Sequence, residues 1–198
     1  MDSPLFSFIV VCYERYYNVQ CLIYSLLSQT YDNFEVILIH DGYNQQHEDV
    51  IKPYLNDKRF KYIYTDQRYN DWGMSLRNKG LQLTKGKWII NTNDDNYYVP
   101  VYLEELNKTI NNNSECNFVY YDCILNHHNI INHNKKDYGL LIPQLKHSYI
   151  DMGQFAVKKE IITKYRFESV APADGVLVEE MKHELIPEYI DKVLFVHN

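Results

Sequence analysis

The sequence predicts an α/β domain, with a mostly parallel central sheet in the first half and a mixed α/β part after it. Two observations carry this. Short apolar runs rich in β-branched and aromatic residues alternate with segments of helical periodicity up to about residue 106. Beyond that point the alternation stops, and strands and helices follow in no fixed order.

The first run, Phe6–Val11, reads as a buried strand. Val19, Leu22, Ile23, Leu26 and Leu27 then recur at helical spacing, which predicts a helix over Tyr17–Ser28. Phe34–Ile39 is a second buried strand, so the opening segment forms a βαβ unit with parallel strands. A helix over Gln46–Leu55 follows, burying Val50, Ile51, Tyr54 and Leu55, then a strand at Phe60–Tyr64. Trp72–Leu83 reads as helical, with Gly80 weakening its last turn. Lys87–Ile90 is the next strand, and Pro100 suits the start of a helix that turns Leu103, Leu106 and Ile110 inward. In the second half, Asn117–Leu125 is a strand, with Ile130 and Ile131 as its hairpin partner across His127-His-Asn. Short helices are expected at Lys158–Tyr165 and Asp174–Glu184, and a closing strand at Tyr189–Val196. No internal repeat or linker breaks the chain, so its 198 residues form one domain.

Composition narrows the function. A net charge of −6 argues against a dedicated nucleic-acid binder, which needs a basic face to neutralise phosphates. No apolar run is long enough to cross a bilayer and no signal-like segment opens the chain, so a cytoplasmic protein is expected. Four cysteines without a CxxC pair read as reduced and mostly buried.

The stretch Asn91–Pro100 places adjacent carboxylates, Asp94 and Asp95, just past a buried strand. Open α/β sheets bind ligands outside the carboxyl ends of their strands, where carboxylates can hold a hard cation through oxygen. A polar turn reads equally well there, since Asn and Asp dominate turns. Asp41, ahead of Gly42, ends another strand, and in a parallel sheet it would converge with the acid pair. Neither GxxxxGK[ST] nor GxGxxG occurs, which sets aside the common nucleotide hydrolases and dinucleotide oxidoreductases. His127, His128 and His133 are weak zinc candidates, because neighbours on a strand face opposite ways and no cysteine lies at ligand spacing.

Several ordered blocks are more specific. Ser25-Leu-Leu-Ser-Gln-Thr-Tyr-Asp-Asn-Phe-Glu-Val with Ile39-His-Asp-Gly, then Gly73-Met-Ser-Leu-Arg-Asn-Lys-Gly-Leu, Lys85-Gly-Lys-Trp-Ile-Ile and Asn93-Asp-Asp-Asn-Tyr-Tyr-Val-Pro stand in this order. Together they resemble the family 2 glycosyltransferases of the GT-A fold, nearest to their spore-coat polysaccharide members. The resemblance covers about Phe6–Leu106. It implies a Rossmann-like three-layer sandwich, with residues 1–106 binding a nucleoside diphosphate sugar (a UDP- or dTDP-sugar favoured) and residues 107–198 serving a glycan acceptor. It also implies roles. Tyr13 would lie against the base, Asp41 would accept from a pyrimidine N–H, and Asp94 would contact the ribose. Asp95 would ligate a divalent cation, Mn2+ or Mg2+, and Arg77 would orient the acids or help neutralise phosphate. Asp174, in Pro172-Ala-Asp-Gly-Val, matches the acceptor-side acid and would be the base that takes the acceptor proton; an ordinary helix N-cap is its alternative. Glu179 and Glu180 are fallbacks expected to face solvent.

Departures from the family pattern remain. His40 and Asn93 stand where acids are usual, and His197 falls near a position where some members keep a histidine by the metal, though a plain terminal residue is the simpler reading. With 24 residues after Asp174, either the chain is part of a longer protein or its acceptor site is open. An inactive nucleotide-sugar binder therefore stays as the rival. A nucleotidyltransferase is disfavoured, because Val11-Cys-Tyr-Glu-Arg is not a glycine-rich phosphate loop.

Overall fold

The computed structural model describes residues 3–128, 136–168 and 173–198, with side chains described outside 126–128, 136–137 and 173–174. The first half follows the predicted alternation. Strand β1 (Phe6–Cys12) leads through helix α1 (Asn18–Leu27) to β2 (Phe34–His40), and α2 (Gln45–Ile51) leads to β3 (Phe60–Tyr64). Helix α3 (Met74–Leu83) then crosses back to β4 (Trp88–Asn93), which pairs with the opposite side of β1. The order β3-β2-β1-β4 is parallel throughout and reverses direction at β1 and β4. Such a reversal leaves a crevice between two strand ends, because the connections leave on opposite faces.

The second half adds β5 (Tyr97–Tyr98), α4 (Tyr102–Asn112), β6 (Phe118–His128), β7 (Lys136–Leu141), β8 (Phe155–Lys158), α5 (Lys159–Ile162), α6 (Ala173–Met181) and β9 (Pro187–His197). Here β8 runs antiparallel between β4 and β6, and β9 lies parallel to β6 and reaches β5. One sheet therefore extends from the parallel half into the mixed half.

Alternating side chains split the core into two layers, one on each face of the sheet. Phe6, Phe8 and Val10 pack with Leu22 and Ile23 of α1 and Leu103 of α4, whereas Ile9, Ile37 and Ile89 pack with Leu76 of α3 and Val178 of α6. Parallel strands covered on both faces read as continuous apolar runs, which is why they stood out in the sequence. Gly80 lets α3 approach the sheet: a Cβ there would meet Ile9 Cγ2 at 2.5 Å and Ile39 Cδ1 at 2.9 Å.

Several boundaries move. The helix expected to reach Leu55 ends at Ile51 and tightens into a 3-10 turn at Lys52–Asn56, where Pro53 removes a backbone donor and Leu55 is left exposed. Trp72 lies outside α3, and β4 runs three residues beyond Ile90. The four-residue strand β8 was not foreseen, being too short to show a period. The hairpin partner of β6 is β7, while Ile130 and Ile131 lie outside the described residues.

Candidate active site at the sheet switch point

The crevice outside β1, β2 and β4 holds a cavity of about 380 Å³. Each strand contributes a loop residue to it. Tyr13 and Arg15 follow β1, Asp41 follows β2, and Asn93 ends β4. The segment after β3 closes one side through Arg68, Asn70 and Trp72.

Asp41 organises that segment. Its carboxylate oxygens accept the backbone N–H groups of Tyr69 (2.8 Å) and Asn70 (2.9 Å). Gly42 takes a positive φ of 88° and donates its N–H to Thr65 Oγ1 at 2.7 Å. A carboxylate offers about four acceptor positions, so Asp41 keeps capacity toward the cavity. Above it, the Arg68 guanidinium lies 4.0 Å from the Tyr13 ring centroid, a cation–π stack at the cavity wall. Trp72 is 88% exposed at the rim.

His40, standing where an acid was expected, bridges two loops. Its Nδ1 lies 2.7 Å from the Gly42 carbonyl and its Nε2 accepts from the Glu14 N–H at 3.5 Å. That pairing makes Nδ1 the protonated nitrogen. Burial lowers the His40 pKa, partly offset by the bond to Gly42, and the ring ties the Gly42 and Glu14 loops together.

The acid pair is the electrostatic centre. Asp94 is fully buried; its Oδ2 accepts the Tyr13 N–H at 2.9 Å and its Oδ1 pairs with Arg15 Nη1 at 2.9 Å. Burial pushes its pKa up to about 6 against the pull of Arg15 and Tyr13, with Asp95 adding a like charge. Asp95 meets Arg15 Nε at 3.4 Å through Oδ2, while its Oδ1 is buried without a hydrogen-bond partner. Burial raises Asp95 as well; Arg15 and His197 pull it down and Asp151 pushes it up.

Those last two residues come from the second half. Strand β5 pairs with β9, Tyr97 opposite Val196, and this brings His197 beside the acids, where its Nδ1 lies 2.8 Å from Asp151 Oδ2. His197 thus lies near the candidate acids, the placement that the sequence held as the less simple reading. The signal was weak because a strand pairing about a hundred residues apart had to close first. The orphaned Asp95 oxygen, with the Asp151 carboxylate and the His197 imidazole near enough to act on it electrostatically, is of the oxygen-donor kind that a divalent cation such as Mn2+ or Mg2+ takes, although the three groups do not all stand at ligand spacing from one another.

Arg77 is buried beneath the cavity. It donates to Asn93 Oδ1 at 2.7 Å and to the Trp72 carbonyl at 3.0 Å, so it holds the strand end and the rim together. The half-exposed cation that touches both acids is instead Arg15, which the sequence reading quoted only as part of a failed phosphate loop. Asp174 is the second residue of α6, and its side chain lies outside those described. Gly175 packs against the His147–Ser148 backbone, where a Cβ would come within 2.5 Å of His147 Cα. Glu179 is exposed and accepts the His147 N–H at 2.9 Å. Tyr98 belongs to the core, against Phe8, Tyr102 and Phe195, while Tyr97 is exposed. The side chains of His127 and His128, and the whole of His133, lie outside the described residues.

Known proteins share this architecture. The glycosyltransferase-named protein EpsH of Bacillus subtilis (strain 168) is 30% identical over 122 residues, which is 60% of this chain and 35% of that protein. A crystallised S. aureus TarS fragment (residues 1–349) superimposes with a TM-score of 0.80 at 15% identity, covering 98% of this chain and 60% of that one; it has also been solved with UDP and with UDP-GlcNAc. The mannosyltransferase PcManGT of Pyrobaculum calidifontis, solved with GDP-Man and Mn2+, gives a TM-score of 0.76 at 15% identity over 100% of this chain and 57% of its own. At that identity the two structures establish the GT-A fold. The glycosyl transferase family 2 model matches residues 7–166, and the chain belongs to that family.

Proposed function

We propose that this chain transfers a sugar from a nucleoside diphosphate sugar to an acceptor hydroxyl, with inversion at the anomeric carbon and with a divalent cation bound. The observation that carries the reading is the orphaned, buried oxygen of Asp95 at the switch-point crevice, next to Asp94 and Arg15. The neighbours solved with UDP-GlcNAc and with GDP-Man and Mn2+ support it.

On this reading the base takes the Tyr13 face that the Arg68 guanidinium now covers, with Arg68 swinging aside, and Asp41 accepts from a pyrimidine N–H, which favours UDP- or dTDP-sugars. Asp94 turns toward the ribose, and Arg15 is released toward the diphosphate. Arg77 works from below by fixing Asn93 and the Trp72 rim. Asp95, with Asp151 and His197, would hold Mn2+ or Mg2+, which supplies positive charge against the leaving diphosphate. Asp174, at the start of α6, takes the proton of the acceptor hydroxyl as it attacks from the opposite face. The acceptor is a carbohydrate or glycan. A cytoplasmic setting belongs to the same reading, supported by four cysteines that form no disulfide.

A second reading, a nucleotide-sugar binder without turnover, draws on the neutral Asn93 and His40 at positions where acids are usual. Release of nucleoside diphosphate from UDP-GlcNAc, dTDP-glucose and GDP-Man over an acceptor panel separates the two. The transferase reading expects turnover with an inverted product anomer. It also expects Asp174→Asn to keep donor affinity while turnover falls about 10²–10⁴-fold. Donor binding without turnover supports the second reading, and full turnover in Asp174→Asn removes Asp174 as the base.

A further inference from the structure

Behind the cavity wall lies a buried set of donors, a thiol, an imidazole and a carboxylate, of which the donor-sugar reading uses only Asp94. Cys12 Sγ, a ring nitrogen of His47 and a carboxylate oxygen of Asp94 come within 4.8 Å of one another, from the end of β1, the first turn of α2 and the end of β4. His47 makes the cluster unusual. Its side chain is fully buried, yet neither ring nitrogen has a hydrogen-bond partner. Buried polar groups are nearly always paired, because an unpaired one forfeits its hydration with nothing in return. The ring is not adrift: Asn44 caps α2 on the His47 N–H at 2.9 Å, and the imidazole sits between His40 (centroids 4.5 Å) and Tyr62 (5.7 Å, stacked). A side chain so held, with both polar atoms unsatisfied, is preorganised for a ligand that takes a nitrogen lone pair.

From this juxtaposition we infer that Cys12, His47 and Asp94 form a second cation site, selective for soft or borderline ions such as Zn2+ and Cd2+. Thiolate and imidazole select such ions, whereas Mg2+ and Mn2+ prefer the oxygen-rich set at Asp95. Binding forms bonds from the metal to sulfur, nitrogen and oxygen, and the Cys12 thiol proton leaves to solvent. The charges then balance, two positive on the ion against one negative each on Cys12 and Asp94, which a buried site requires. Zinc–ligand bonds of about 2.0–2.3 Å put tetrahedral ligand atoms about 3.5 Å apart, so the side chains draw in by about 1 Å. Cys12 lines the cavity, which gives the ion its way in. Asp94 holds Tyr13 and Arg15 with one lone pair on each oxygen, leaving capacity for the metal. Since the donor-sugar reading also uses Asp94, filling this site weakens donor binding.

The test uses the metal-free full chain in a Cys21→Ser background, which removes the exposed thiol. Cd2+ is titrated against the ultraviolet thiolate-to-cadmium band, and Zn2+ against a chromogenic chelator. One equivalent should bind with a thiolate band. Cys12→Ser should abolish the band, and His47→Phe, which fills the same space, should weaken Zn2+ at least tenfold, with His47→Gln as the second variant if Phe disturbs folding. Absence of the band (as expected if a buried water satisfies His47), its persistence in Cys12→Ser, or unchanged affinity in the His47 variants overturns the site. Zn2+ binding that leaves donor affinity untouched upholds the site and counts against Asp94 in the donor reading, so the two failures are distinguishable.

Discussion

Two buried carboxylates at opposite edges of the same sheet behave in opposite ways. Glu35, at the amino-terminal end of β2, accepts from Ser7 Oγ (2.8 Å), the Lys85 N–H (2.5 Å) and Lys61 Nζ (2.7 Å). Burial alone would push its pKa up, but Lys61, the Lys85 N–H and Ser7 outweigh it and the pKa is lowered. Asp94, past the carboxyl end of β4, has Tyr13 and Arg15, and burial wins: its pKa rises to about 6. The folded protein therefore stabilises one ionised acid and tolerates the other. Three hydrogen bonds, one of them from a lysine side chain, suit Glu35 to the fold, and a buried acid held by two suits Asp94 to a ligand.

Substitutions can break this contrast. The largest effect on stability is expected from Glu35→Ala, which leaves the buried Ser7 O–H and the Lys85 N–H without an acceptor, though Ser7 Oγ still accepts from the Gly86 N–H, and should cost about 3 kcal/mol in urea unfolding. Glu35→Gln keeps most of those bonds and should cost less than half as much. Asp94→Asn should change stability by no more than about 1 kcal/mol, yet lower donor affinity about 10–100-fold by calorimetry, the worth of one charge-assisted hydrogen bond. A loss of stability from Asp94→Asn as large as that of Glu35→Ala would erase the distinction.

A smaller effect lies in the pH dependence, where the two acids pull in opposite directions. Glu35, lowered from 4.5, contributes stability present above that value and lost as pH falls. Asp94, raised from 3.8 to about 6, favours the fold when protonated, and that contribution is lost as pH rises through this window. Stability curves of the metal-free protein should thus have a shallower acid limb in Glu35→Gln, with Asp57 among the groups that keep the rest, and flatten between about pH 4 and 6 in Asp94→Asn.

How much of this the sequence revealed follows from what is local. The parallel half was legible because strands buried on both faces leave apolar runs, and Asp41, Asp94 and Asp95 because they follow those runs directly. Strand β8 was not: F-A-V-K is strand only because β4 and β6 flank it. Arg15 and His197 carry no local pattern either. Their place depends on a loop folding over Asp94 and on β9 reaching β5. His47 looked like any helix residue, since its missing partners appear only once α2 docks beside Cys12.

The central claim is that the Asp95 edge of the sheet binds a donor through a divalent cation. Calorimetric titration of UDP-GlcNAc and GDP-Man into wild type and Asp95→Ala, each with and without Mn2+, tests it most directly. The account predicts that Mn2+ tightens donor binding at least tenfold in wild type and not at all in Asp95→Ala. Equal affinities with and without Mn2+, unchanged by the substitution, would contradict it.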